Sequence, residues 1–416
     1  MPHIRRELRR ETNLDVTVLR HLLDAGDVQI CLLEVQSELA DLPDGYLWLG
    51  SREGAGAEWA DEQSCQAWQA WSASLSSNDL SPLAPWERTG WFGDAKLWMQ
   101  TRLHEAGYKL QGPVDQLKGA WGWSSILQAA TDKGVVYFKA DYARPPKEAA
   151  VILKLAERWP RNVPHVIASD IERNWMLTSD FGGASLETLG AGHFLDAVSL
   201  FAQIQRSTAP DTHEWRRLGC PDMTPENLLP LTRQLIADKA VLCGGEGGLR
   251  RDELAELERR TPQIEQMLMR LASSVLPNVV SNEDFKPGNV TVSGGEYIFY
   301  DWGNTVIAHP LFGINYFLNR MVRPDSEDRS RWRNGLEDEA RRALMSAFLA
   351  QWTDWASWDQ LTSEFWLCRR LYPLYEAVKG HCDLPFIGTT SPWGTGTLAH
   401  IPQTVRNLTA ALDYPA

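Results

Sequence analysis

The residues with the most obvious chemistry lie in SNEDFKPGNV, residues 281–290, where an acid, a lysine and an asparagine surround a Pro-Gly turn. Pro287-Gly288-Asn289 alone indicates only a tight turn, because proline presets φ while glycine and asparagine tolerate left-handed backbone. The residues that follow predict a hairpin with a turn at Gly294-Gly295 and an apolar strand, Tyr297 to Tyr300, that ends on Asp301. A second carboxylate therefore follows a strand shortly after the first turn.

The spacing of these side chains favours phosphoryl transfer over a simple turn. Asp284 and Asn289 have the D-x-x-x-x-N spacing of a kinase catalytic loop, and Asp301-Trp302-Gly303 follows where such folds carry a metal-binding D-x-G. In this chemistry the protein must position an acceptor hydroxyl and hold Mg²⁺ against the phosphates. Asn289 and Asp301 offer the oxygen ligands that Mg²⁺ prefers. Asp284 is then free to orient the acceptor hydroxyl and accept its proton.

Two residues upstream fit the same chemistry in chain order. Residues 118–141 predict a hairpin whose second strand, Val135 to Phe138, ends at Lys139, and PPKEAAVILKLAERW predicts a helix with Glu148 in its first turn. Alone, such a lysine is an edge residue in solvent and such a glutamate complements the helix dipole. Together with the downstream acids, they have the order of the kinase lysine that grips the α and β phosphates and the acid that fixes it.

Weaker candidates for nucleotide contacts lie in the same region. HVIASDIERNWMLTSDFGGASL predicts two strands, and the residues after the second strand would join two lobes and offer backbone groups to the adenine edge: these are Ser179, Asp180 and Phe181. Ser124 and Ser125 are either phosphate donors or ordinary turn serines. From about residue 191 onward, several segments have the apolar stripes of helices.

Length and composition suggest how these elements are organised. With 416 residues the chain predicts two or three units, and a Ser- and Pro-rich segment at 72–90 indicates a linker. We therefore expect an N-terminal module of unknown role at 1–88, where short apolar runs predict a small sheet. A sheet-containing lobe at 89–180 and a mostly helical lobe with the catalytic loop and acceptor site at 181–416 should follow.

Charge and residue usage narrow the class of protein. The formal charge of −13 disfavours nucleic acid and anionic lipid as partners, and suits a cationic substrate or simply solubility. Six scattered cysteines without a C-x-x-C pair indicate neither a zinc site nor a disulfide framework. We find no signal peptide, no membrane span and no sign of an obligate protein partner, so the cytoplasm is the expected location.

These motifs together resemble the aminoglycoside phosphotransferase and choline kinase-like family, whose hallmark is an H-G-D-x-x-P-x-N loop followed by a strand and an I-D-W-type segment. Residues 115–325 carry the resemblance. It implies an α+β, bilobal protein-kinase-like fold, with a small antiparallel-sheet N-lobe and a mostly helical C-lobe. It also implies ATP and Mg²⁺ as cofactors and a small-molecule hydroxyl as acceptor, as in an aminoglycoside, an amino alcohol or a sugar. Lys286 would neutralise transition-state charge, as a lysine does at this place in protein kinases.

The sequence departs from the family pattern in four places, the first of which is Lys286, where the family often has histidine. Asn282 stands where the family has histidine, and Gly313 stands where an aspartate is frequent. The segment KGAWGWSSI lacks a G-x-G-x-x-G pattern. An acidic acceptor pocket is consistent with the net charge, and Glu283 and Asp383 are candidates to line it, although either suits an ordinary turn or surface.

Two other functions stay open. A Ser/Thr protein kinase is disfavoured because no glycine-rich loop or A-P-E is found, and HPLFGINYFLNR predicts a helix where a long activation loop would lie. A non-catalytic nucleotide-binding scaffold is disfavoured because such proteins typically lose their base or metal ligands, whereas Asp284, Asn289 and Asp301 are all present.

Overall fold

The chain divides into two compact units. The structure is a computed structural model that describes residues 2–25, 28–36, 62, 65, 66, 69, 84–118, 124–141, 148–245, 247–320, 339–388 and 392–413. One unit comprises Met1–Tyr142 with Val166–Asp180, and the other comprises Ala143–His165 with Phe181–Ala416. These units do not coincide with the three segments expected from the sequence, so that division stays a prediction. One of the short apolar runs of the N-terminal module, GYLWLG at 45–50, and most of the linker lie outside the described residues.

The first unit is built on an antiparallel sheet of five strands in the order β3-β4-β5-β7-β6. Its elements are α1 (Pro2–Thr12), β1 (Val16–Ala25), β2 (Val28–Val35), α2 (Trp91–Glu105), β3 (Asp115–Lys118), β4 (Ser124–Thr131), β5 (Gly134–Asp141), β6 (Val166–Asp170) and β7 (Trp175–Ser179). The predicted hairpin is β4–β5. Its second strand continues past Lys139, because Ala140 and Asp141 still pair with Ser125 and Ser124.

The side chain of Gln116 links the N-terminal hairpin β1–β2 to this sheet. Gln116 in β3 accepts the Val18 N–H at 2.9 Å and donates to the Val18 carbonyl at 3.0 Å. The amide thus satisfies both backbone groups of one residue in β1. Under the sheet, Trp91, Phe138 and Trp175 pack edge to face, with ring centroids 5.4 to 6.2 Å apart. Trp91 and Trp175 are therefore core residues of this unit.

The second unit is mainly helical and contains two small sheets. Its elements are α3 (Glu148–Ala156), β8 (Ala184–Ser185), α4 (Ala191–Thr208), α5 (Thr212–Arg217), β9 (Asp222–Met223), α6 (Pro225–Ala237), α7 (Lys239–Cys243), α8 (Arg251–Ala272), β10 (Val279–Asn282), β11 (Val290–Ser293), β12 (Glu296–Phe299), β13 (Thr305–Ala308), α9 (Pro310–Arg320), α10 (Glu339–Ala350), α11 (Trp358–Ile387) and α12 (Pro392–Leu412). One sheet has the order β10-β13-β9 and the other β12-β11-β8. None of the described helices is long and apolar enough to span a bilayer.

The two loops that carry the candidate acids leave one end of the β10–β13 pair. Asn282 at the end of β10 pairs with Thr305 at the start of β13. Asp284 follows the first strand, and Asp301 precedes the second. The predicted hairpin between them is β11–β12, with Gly294 and Gly295 at positive φ in its turn. The pairing of β10 with β13 therefore places the turn that carries Asp301 next to the loop that carries Asp284.

Candidate active site

Asp284 is the centre of a compact hydrogen-bonded loop. Its carboxylate accepts from Lys286 Nζ at 2.9 and 2.7 Å, and from Asn289 Nδ2 at 2.7 Å. The same Asn289 amide donates to the Asp284 carbonyl at 2.9 Å. The structure thus brings the two predicted catalytic residues and one predicted metal ligand into direct contact.

The loop is anchored by the phenylalanine at its centre. Phe285 is 2% exposed, and its ring stacks on Phe201 of α4 with centroids 3.9 Å apart. Phe317 of α9 lies on it at 4.7 Å. Because the residues on either side of Phe285 are Asp284 and Lys286, burial of this ring fixes the backbone that carries both charges.

The Asp301 turn adopts a backbone conformation that L residues rarely take. Asp301 has φ 61° and ψ 60°, in the left-handed region that aspartate tolerates better than most residues. Its carbonyl accepts from Asn282 Nδ2 at 3.0 Å, and the next amide, Trp302 N–H, donates to Glu148 Oε1 at 2.9 Å. Two side chains from other elements therefore hold this turn.

Asn282 joins the two acidic loops to each other. Its Oδ1 accepts the Asp284 N–H at 3.0 Å, while its Nδ2 bonds the Asp301 carbonyl. A second link is made by backbone, since Tyr300 N–H donates to the Asn289 carbonyl at 3.1 Å. The asparagine that replaces the family histidine thus has an evident geometric role.

The predicted magnesium ligands fit a hard cation. Asn289 is 6% exposed, and its amide nitrogen is turned to Asp284, so its Oδ1 points elsewhere and accepts no hydrogen bond from any described residue. Within the described part of the chain, no three His, Cys, Asp or Glu side chains form a metal cluster. An amide oxygen with one carboxylate suits Mg²⁺, which keeps several waters and takes its other ligands from phosphates.

Tyr300 and Glu187 also belong to this site, although no sequence motif indicates them. Tyr300 donates its hydroxyl to the Gly288 carbonyl at 2.5 Å, and its ring packs on Phe181 at 5.2 Å. Burial, with the negative charges of Asp301 and Glu187, raises the pKa of Tyr300. A Cβ on Gly288 would lie 2.8 Å from Glu187 Oε1. Asp301, a proposed metal ligand, and Glu187 therefore both place negative charge near Tyr300.

The remaining predicted residues are placed as follows. Glu148 is 3% exposed at the start of α3, in the helical unit, whereas Lys139 lies within β5 of the other unit, so their partnership stays a prediction. Ser124 and Ser125 are buried strand residues of β4 and do not form a turn, because both pair with β5. Residues 119–123 lie outside the described residues.

The predicted adenine contacts stay untested in the same way. Ser179 ends β7 and pairs with Val136, and the Asp180 N–H already donates to the Val135 carbonyl at 2.9 Å. That amide is thus engaged by β5.

Gly313 lies where no side chain fits. An added Cβ would stand 2.4 Å from Ser281 Oγ and 2.8 Å from Gln205 Nε2, which themselves are hydrogen bonded at 3.2 Å. Ser281 and Gln205 therefore fill the space that the family's aspartate would need.

A cavity of about 180 Å³ opens beside the Asp301 turn. Among its lining residues are Pro221, Met223, Asn304, Lys379, Asp383 and Phe386. Lys379 Nζ binds Asp383 Oδ2 at 2.8 Å and Asn304 Oδ1 at 3.4 Å. Asp383 lines this cavity and is paired with Lys379, and its expected role in an acceptor pocket stays a prediction. Glu283 is not among the lining residues: it is buried behind them, and its N–H donates to the Asn304 carbonyl at 3.1 Å.

Comparison with known proteins identifies related sequences and folds. A family model described as the phosphotransferase enzyme family matches residues 135–361. A choline/ethanolamine kinase family protein from Mesorhizobium loti is 14% identical with a TM-score of 0.50, over 78% of this chain and 95% of its own. An ethanolamine kinase from Plasmodium vivax is 9% identical with a TM-score of 0.50, over 71% of this chain and 84% of its own. No curated protein matches the chain. The predicted α+β, kinase-like fold is thereby confirmed.

Proposed function

This chain belongs to the phosphotransferase enzyme family, and we propose that it transfers the γ-phosphoryl group of ATP, with Mg²⁺, to a hydroxyl of a small molecule. The observation that supports this most strongly is the joined pair of loops. Asn282 bridges Asp284 and Asp301, while Asn289 bonds Asp284 and keeps its own oxygen open. Phosphoryl transfer needs this combination of one base and two hard-oxygen ligands.

In this proposal each side chain has one role. Asp284 accepts the proton of the acceptor hydroxyl as its oxygen attacks phosphorus. Lys286 now binds both Asp284 oxygens, and the γ-phosphate competes for it, so that its charge moves to the transferring oxygens. Asn289 and Asp301 hold Mg²⁺, which when bound neutralises charge on the phosphates. Lys139, Ser124, Ser125, Ser179, Asp180 and Phe181 remain the proposed nucleotide contacts, and Glu148 supports the Asp301 turn.

A small molecule is favoured as acceptor over a protein. The helix α9 begins at Pro310, directly after β13, so the chain has no room for a long activation loop after Asp301. The names of the structural neighbours refer to choline and ethanolamine, which are small alcohols. We also propose a cytoplasmic location, where ATP and Mg²⁺ are supplied, and no nucleic-acid, membrane or obligate protein partner.

The test is ADP release by the purified chain. With ATP, Mg²⁺ and a panel of small alcohols, we expect acceptor-dependent ADP release that EDTA abolishes. Asp284→Asn should lower kcat by about 10³-fold, and Asn289→Ala or Asp301→Asn should raise the Mg²⁺ requirement. Asp359→Asn, an exposed acid of α11, is the matched control and should match wild type. Turnover that is indifferent to Asp284→Asn would show that the loop is not the reaction centre.

A further inference from the structure

The cavity beside the Asp301 turn has a distinctive charge arrangement. Among the described residues that line it, the charged ones are Lys379 and Asp383, which bind each other at 2.8 Å, so their charges cancel. Asn304 extends this polar edge through its bond to Lys379. Most other lining groups are apolar side chains or backbone, with Met223 and Phe386 the largest. The cavity therefore has apolar walls and one neutral polar edge.

This cavity adjoins the base loop. Asn304 lines it and accepts the N–H of Glu283, the residue immediately before Asp284. Gly303, also in the lining, is two positions after Asp301. A molecule held here therefore lies beside the backbone that carries both acids of the proposed site.

We propose, building on the function proposed above, that this cavity holds the acceptor and that the Lys379–Asp383 pair selects a small uncharged polyol, such as a monosaccharide, over cationic amino-sugars and amino alcohols. A hydroxyl can donate to Asp383 and accept from Lys379 while the pair stays intact. An ammonium group that donates to Asp383 must instead lie beside the Lys379 ammonium, and the repulsion between the two positive charges costs Coulomb energy in a partly buried site. The apolar walls suit the C–H faces of a sugar ring.

Size points to the same class. A cavity of about 180 Å³ is close to the roughly 150 Å³ cavity that accommodates benzene, so it has room for one ring. An aminoglycoside of several rings would leave most of its rings outside. The net charge of −13 thus gives a misleading guide to the acceptor, because it does not describe the local field of this cavity.

Lys379 is the residue whose loss should change the selectivity. It lies on one face of α11 with Tyr375 and Asp383, and its charge also acts on the buried Glu283. Replacing it by methionine keeps the aliphatic stem and leaves Asp383 without its ammonium partner. The cavity then carries the negative charge of Asp383, so cationic acceptors should bind more tightly than in the wild type.

The experiment measures acceptor kinetics with matched variants. Neutral acceptors (ribose, glucose, myo-inositol, glycerol) and cationic ones (choline, ethanolamine, kanamycin) are assayed by ADP release and by the mass of the product. We expect wild type to use a neutral polyol with at least tenfold higher kcat/KM than any cation. Lys379→Met should reverse this ratio through KM. The double change Lys379→Met with Asp383→Asn should restore the preference for neutral acceptors. Lys239→Met, an exposed lysine of α7 paired with Glu258, is the control and should leave the ratio unchanged.

Binding separates this inference from the function it builds on. Calorimetry with the nucleotide-free protein tests whether the preferred polyol binds and whether Lys379→Met weakens it, and this readout does not require turnover. ADP release that is unaffected by Asp284→Asn would contradict the proposed function and would leave the binding result to stand by itself. Preference of wild type for a cation, absence of binding by every polyol, or an unchanged ratio in Lys379→Met would overturn the selectivity proposal.

Discussion

Asn282→Ala tests whether one amide holds the two acidic loops together. The change removes the bonds to the Asp284 N–H and the Asp301 carbonyl, each 3.0 Å long and part-buried. Two such bonds contribute about 1 kcal/mol each, and leaving their partners unsatisfied adds to the loss. We therefore expect the free energy of unfolding to fall by about 2 to 4 kcal/mol. Since a shift of about 1 Å at a reaction centre can cost about 10²-fold, kcat should fall by roughly that factor.

Two further variants separate the positioning role of Asn282 from its contribution to stability. Asn282→Asp keeps an acceptor for the Asp284 N–H but loses the donor to Asp301, so it should give intermediate values of both quantities. Asn315→Ala is the control: Asn315 is also buried and makes two side-chain bonds, to Leu311 and Arg369, outside the loops. Urea unfolding measures stability, and ADP release at saturating ATP measures kcat. If Asn282→Ala loses stability like the control but keeps wild-type kcat, the bridge has no part in positioning the acids.

Other predictions concern the same region. Phe285→Ala should lower the free energy of unfolding by about 3 to 5 kcal/mol in a urea titration, because the buried ring stacks on its neighbours and leaves a cavity. Gly313→Asp introduces the residue that is frequent in the family, but it should not raise kcat. It should lower the free energy of unfolding by more than about 1 kcal/mol, because the new side chain meets Ser281 and Gln205. Burial raises the pKa of Glu283 from 4.5 to about 7. The folded state therefore holds this proton more tightly than the unfolded state, so the contribution of Glu283 to stability is fully present below about pH 4.5 and is lost as pH rises through about 7, by roughly 3 kcal/mol. Glu283→Gln should flatten this part of the stability–pH curve, and an unchanged slope would contradict the assignment.

The hairpins and loops of the second unit were predictable because their signals are local. Gly294-Gly295 marks a turn wherever it occurs between apolar strands, and Asp284 and Asn289 are close in sequence, so their contact needs only one turn. The order of Lys139 and Glu148 was also visible. The end of β5 was not predicted correctly. Ala140 and Asp141, which follow Lys139, have no sequence signal of a strand, and only their pairing with β4 shows that the strand continues.

Contacts between residues far apart in the chain could not be predicted from the sequence, for a physical reason. The bond from Trp302 N–H to Glu148 joins residues 154 positions apart, and a backbone amide leaves no trace in residue type. Lys379 is one of several charged residues in a 30-residue helix, and nothing local tells which of them borders a cavity. The sign of the electrostatic field in the cavity depends on whether Asp383 is paired, and its partner is this same Lys379.

The Gln116 amide has a consequence for how the chain can be shortened. Strand β3 is the edge of its sheet, and edge strands are where foreign strands attach. If the chain is cut before residue 84, the hairpin β1–β2 is lost and an amide that is now 4% exposed has no partner. A trimmed protein should therefore self-associate, with β3 as the point of attachment, even though its candidate acids are untouched.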